Sequence, residues 1–111
     1  MTKEELFNKL KNKGIFWSYS KDITLEKIGD KLFIEYILKY GDFDDIVMAF
    51  KLYKKEFIKE LWQSKVATDK RFIKLNVMLA RIFFDMKVES SYFKGLENER
   101  DRKLRLFASK N

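Results

Sequence analysis

The sequence predicts an all-α fold, a compact bundle of five or six short helices with a helix-turn-helix-like pair as one option, and three observations point to it. No proline occurs in the 111 residues, so nothing removes a backbone donor from a helix interior. Apolar residues recur at three- and four-residue spacing, whereas strand-like alternation is weak and confined to residues 87–93. Aromatic residues make up 16% of the chain and hydrophobic residues 46%, enough for one real core in a 13.5 kDa chain. A chain of this length needs neither a metal nor a disulfide to bury about two-thirds of its unfolded surface.

The elements follow in order. Thr2 and Glu5 have capping-box spacing, so the first helix starts there, with Leu6, Phe7 and Leu10 on its inner face. Gly14 ends it in a left-handed conformation. Residues 15–20 form an aromatic linker without helical period. A second helix starts near Thr24 or Gly29, with Ile28, Leu32, Tyr36 and Tyr40 as its stripe and Phe33, Ile34 and Ile37 widening it.

Gly41 closes that helix and Asp42 caps a third, with Asp44 and Asp45 at the positive end of its dipole and Ile46, Val47, Phe50 and Tyr53 facing inward. Phe57, Ile58, Leu61 and Trp62 mark a fourth helical stretch, and no breaker at Lys54 and Lys55 separates it from the third. After a short connection over residues 64–68, Asp69 caps a fifth helix bearing Phe72, Ile73, Leu75, Leu79, Ile82 and Phe83. Apolar on more than half its circumference, this helix is expected at the centre of the bundle. Residues 1–87 are read as the helical core domain. Residues 88–111 are read as a charged extension in which residues 96–107 form a sixth helix held by Leu104 and Phe107, or fray.

Composition narrows the function classes. The chain has no histidine and no cysteine, hence no neutral-pH proton shuttle, thiolate nucleophile or soft metal ligand. The four glycines are dispersed, so no phosphate-cradling loop exists, and no Gly-x-Ser-x-Gly elbow is present. A non-enzyme without cofactor or metal is expected. The charged start and the lack of a long apolar run point to a cytoplasmic protein with no membrane partner. Asp42, Asp44 and Asp45 form the best acid/base or metal candidate, but capping and the helix dipole account for three acids at a helix start. An enzyme built on them is the weakest alternative.

The net charge of +7 is unevenly spread: residues 14–50 carry a net −3 and residues 51–81 a net +6. Were residues 44–63 one helix, Lys51, Lys55, Lys59 and Gln63 would stack on one face, with Lys54, Lys70, Arg71 and Lys74 (and Lys65) extending a candidate nucleic-acid-binding patch. A solvated lysine face is the competing account, favoured because Lys reads bases poorly and Arg is scarce. Phe16, Trp17 and Tyr19 are the candidate partner-binding residues, since Trp and Tyr dominate binding hot spots. The competing account makes Trp17 a lid over the helical core, because an exposed apolar patch promotes aggregation.

Ile15-Phe16-Trp17, the helix closing on Tyr40-Gly41-Asp42, Asp45-Ile46, Leu52-Tyr53, the run from Glu56 to Leu61 and the turn Val66-Ala67-Thr68-Asp69-Lys70 together resemble a small prokaryotic family of unknown function. The resemblance covers residues 14–86. Genes of that family often lie beside nucleotidyltransferase toxins of the AbiEii type. The resemblance therefore implies an antitoxin-like or regulatory role in a bacterial toxin–antitoxin system, with a nucleotidyltransferase-type toxin as partner. Two positions depart from the pattern: Lys54 stands where the family has Gly, and Ser18 where it has Asp. A plain DNA-binding transcriptional regulator is the alternative. Duplex DNA and a second copy of the chain are the other partners considered.

Overall fold

Every regular element among the described residues, 1–96, of the computed structural model is helical; none is a strand. The chain divides into two compact units, Met1–Trp62 and Gln63–Asn111.

In the first unit, α1 (Lys3–Asn12) opens where Thr2 Oγ1 accepts the Glu5 N–H at 3.1 Å. It buries Leu6, Phe7 and Leu10, and Gly14, at φ +82°, turns the chain out of it in the left-handed region. Both expected starts of the second helix are used. Thr24 caps a single turn, α2 (Leu25–Ile28), and Gly29, at φ +85°, separates it from α3 (Asp30–Tyr40). The buried face of α3 is Phe33, Ile34, Ile37 and Leu38, all fully enclosed. The expected stripe of Leu32, Tyr36 and Tyr40 is therefore displaced: Leu32 and Tyr36 are half-buried and Tyr40 is 43% exposed. The tyrosines sit at the rim, where ring and hydroxyl meet different surroundings.

Gly41 joins α3 to α4 (Phe43–Leu52) in a space where a side chain does not fit. A Cβ there would stand 2.7 Å from the Ile37 carbonyl oxygen and 3.1 Å from Asp45 Cβ. Gly41→Ala is expected to destabilise by roughly 1–3 kcal/mol through overpacking. Thermal melting should show it, at about 4–8 °C per kcal/mol.

Residues 44–63 are not one helix. Helix α4 stops at Leu52, Tyr53 is extended, and α5 (Lys55–Leu61) starts afresh. The break has a tertiary cause. Leaving the helix lets the Tyr53 hydroxyl donate to Asp30 Oδ1 at 2.6 Å and places Lys3 Nζ 4.4 Å from its ring centroid. Helix α3 packs against α2, α4 and α5, and α4 also against α1, so α3 is the middle of this unit. The Phe72–Phe83 stretch, expected at the centre of a single bundle, belongs to the second unit.

Beyond Leu61 a π-helical turn, Trp62–Val66, replaces most of the connection expected over residues 64–68. Within the second unit, Asp69 caps a 3₁₀ turn, Lys70–Phe72, its carboxylate accepting the Arg71 N–H at 3.1 Å. That turn leads into α6 (Ile73–Phe83). Leu79 and Ala80 are buried, Phe72 and Phe83 half-buried, and Ile82 is 56% exposed, so the wide apolar stripe is only partly enclosed. Asn76, fully buried, donates to the Val66 carbonyl at 2.9 Å and so satisfies a group at the end of the π turn.

Asp85 takes the left-handed conformation after α6, and the next residue, Met86, donates its N–H to the Ala80 carbonyl at 2.9 Å, satisfying a carbonyl of the last turns. The strand-like alternation of residues 87–93 is overruled: the chain forms α7 (Ser90–Lys94), packed on α6 through buried Phe93. The helix expected over residues 96–107, with Leu104 and Phe107, lies outside the described residues from position 97 onward. Among the described residues no helix is long and apolar enough to cross a membrane.

Candidate partner-docking site

The segment after α1 sorts three neighbouring rings into different surroundings. Gly14 reverses the chain, and Tyr19 N–H bonds to the Phe16 carbonyl at 2.9 Å to close a turn. Phe16 points inward. It stacks on Phe7 at 4.9 Å between centroids and also meets Phe33 and Tyr36. Trp17, one residue on, is 78% exposed. That overturns the expectation of a lid over the core: Phe16 takes the core position and leaves Trp17 in water. Tyr19 is half-buried and meets Tyr36 edge-on at 5.9 Å, and Tyr36 meets Tyr40 at 5.5 Å. Of the three partner-binding candidates, Trp17 and Tyr19 are accessible and Phe16 is their anchor. An open groove of about 490 Å³ lies beside them, lined by Lys11, Asn12, Phe16, Trp17, Tyr19 and Lys21 among others.

The acidic cluster does different work. Asp42 Oδ1 accepts the Asp45 N–H at 2.9 Å and Asp45 Oδ2 accepts the Asp42 N–H at 3.1 Å, a reciprocal capping box. Lys9 Nζ reaches Asp45 Oδ1 at 2.9 Å, and Lys13 Nζ reaches Asp45 Oδ2 at 2.9 Å and Asp42 Oδ2 at 2.7 Å. The last turn of α1 is thereby clasped to the first turn of α4, each charge placed at the helix end that favours it. Hydrogen bonds from Lys13 and from the Asp45 N–H hold Asp42 at about 2 against an ordinary 3.8. Burial pushes Asp45 up, but Lys13 and Lys9 outweigh it and leave its carboxyl below the ordinary value. Asp44 is exposed and outside the clasp. Among the described residues no three acid side chains are grouped to hold a metal ion.

The basic set is not one stripe. Lys51 lies in the last turn of α4, Lys54 is the N-cap of α5, and Lys55 and Lys59 are one turn apart on α5. The break at Tyr53 takes Lys51 out of register with the other two. Gln63, Lys70, Arg71 and Lys74 belong to the second unit. Arg71 is turned back on Asp69 through Nε at 3.0 Å and Nη2 at 2.7 Å. Glu56 and Glu60, both exposed, alternate with the lysines of α5.

Sequence reading missed Lys9 and Lys13 as partners of Asp45. Their signal was present: bases in the last turn of one helix and acids in the first turn of another. It missed the Tyr53–Asp30 bond, which no local pattern announces. Comparison with protein families, with curated proteins and with solved structures finds no match, so the chemistry of the site rests on its own geometry.

Proposed function

We propose that this chain is a non-enzymatic, antitoxin-like protein of the bacterial cytoplasm that works by binding a partner protein, with Trp17 as the anchor of the contact. The observation that carries this is the 78% exposure of Trp17 on a turn pinned by the buried Phe16 ring. A large ring held out by a fixed backbone loses little conformational freedom on docking, which is why Trp and Tyr supply so much of the energy at interface centres. The family resemblance supports a nucleotidyltransferase-type toxin as the partner. The DNA-binding alternative has weaker support, because α5 interleaves Glu56 and Glu60 with Lys55 and Lys59 and Arg71 is paired with Asp69.

Affinity capture with the wild-type chain and with Trp17→Ala tests this. A partner should bind the wild type and lose about 2 kcal/mol or more, roughly thirtyfold in affinity, with the variant. Circular dichroism should be the same for both. A partner held equally by the two chains removes Trp17 from the interface. Self-association lost in Trp17→Ala assigns the surface to a second copy. Salt-sensitive duplex binding abolished by Lys55→Glu with Lys59→Glu reinstates the DNA-binding regulator.

A further inference from the structure

We infer that the groove beside Trp17 takes an acidic segment of the partner protein, an apolar side chain lying on the Trp17 and Tyr19 rings and carboxylates reaching Lys11 and Lys21. This rests on the docking role proposed above and adds the chemistry of what docks.

Charge is the first reason. The last turn of α1 and its C-cap carry lysines at positions 9, 11 and 13, and two of them are neutralised. Lys9 and Lys13 are held by Asp45 and Asp42. Lys11 faces the groove instead, where its Nζ donates to the Ile23 carbonyl at 3.1 Å, an acceptor that carries no charge. Lys21, in the same lining, is exposed and forms no ion pair among the described residues. The groove thus has two uncompensated cations and no acid among its lining residues. A partner covering it without counter-charges would strip water from both ammonium groups and leave them unpaired, which opposes binding.

Composition of the lining is the second reason. Trp17, Tyr19 and Ile23 provide apolar surface in the same lining as the two cations, together with the polar Asn12 and Ser20. That combination of rings and cations matches a short peptide in which one large apolar residue is accompanied by Asp or Glu. A single-stranded nucleic acid would also use rings and lysines. It would find two lysines and no arginine among the lining residues, a weak hold on a phosphate backbone, whereas two cations suffice for a pair of carboxylates.

The experiment is selection from a display library of random twelve-residue peptides against the full chain, counter-selected on Trp17→Ala. Sequences rich in Asp and Glu around an aromatic or aliphatic residue are expected. The best synthetic peptide, labelled and followed by anisotropy, should bind about tenfold more weakly to Lys21→Glu and about thirtyfold more weakly to Trp17→Ala. Its Gln-for-Glu version should bind the wild type about tenfold more weakly than the acidic peptide. Enrichment of neutral or basic peptides that still need Trp17 overturns the acidic chemistry and leaves the docking role standing. Failure to enrich any Trp17-dependent peptide overturns the groove as a peptide site, while the capture experiment above still judges the docking role separately. Trp17-dependent binding of a twelve-nucleotide single-stranded DNA reassigns the groove to nucleic acid.

Discussion

Phe33→Ala is expected to destabilise the chain by about 3–5 kcal/mol, the usual range for removing a large ring from a packed core. Phe33 is fully enclosed on the helix that packs against α2, α4 and α5. Its ring meets Phe7 edge-on at 5.4 Å and Phe16 at 6.2 Å. Truncation removes a partner from two aromatic contacts and leaves a void that three helices would have to move to fill. Small domains hold only about 5–15 kcal/mol in total, so the loss takes a large share. Urea denaturation should show a much lower midpoint with a similar slope. Ile82→Ala, at a position 56% exposed, is the control and should stay within roughly 0.5 kcal/mol. Comparable losses for the two variants would mean that α3 is not the centre of its unit.

Asp45→Ala should have the next largest effect, about 2–3 kcal/mol at neutral pH, from loss of a reciprocal cap and of two charge-assisted bonds. The carboxylate is wholly buried while the side chains of Lys9 and Lys13 are 41% and 37% exposed. The lysines can rehydrate when it is removed, which keeps the loss below that of a fully buried pair. The sign of the pH dependence follows from the direction of the shifts. Asp42 is lowered to about 2 and Asp45 is lowered from 3.8, so the folded form holds both carboxylates ionised more strongly than the unfolded chain does. Their contribution is complete above the unfolded value near 4 and fades as pH falls toward 2. Wild-type stability should therefore drop across that window faster than that of Asp45→Ala, and the two curves should converge at its acid end. Parallel curves would show that the clasp contributes nothing.

Helix boundaries were legible in the sequence where a side chain bonds to a backbone group three residues away. Thr2, Thr24 and Asp42 all cap in this way, Asp69 bonds two residues ahead to open the 3₁₀ turn before α6, and Gly14 takes its left-handed turn. Boundaries set at a distance were not legible. Nothing near Tyr53 reveals that a bond to Asp30, twenty-three residues earlier, draws it out of α4. That one break undoes the basic stripe, which depended on an unbroken helix. Burial within a wide apolar face was also hidden. Periodicity shows that α3 and α6 are amphipathic but not which part of the stripe is covered, so Tyr40 and Ile82 looked more central than they are. In the segment after α1, sequence supplied the rings of Phe16, Trp17 and Tyr19, and only the turn after Gly14 decides which of them faces water.

The chain has two indoles, and they differ as much as two indoles can: Trp17 is 78% exposed and Trp62 is 1% exposed. Their emission should separate into a red-shifted component that iodide quenches and a blue-shifted one that it does not. The first will respond when something settles on the protein's surface, the second only when the core opens. Occupancy and integrity can thus be followed in one cuvette, with no dye attached.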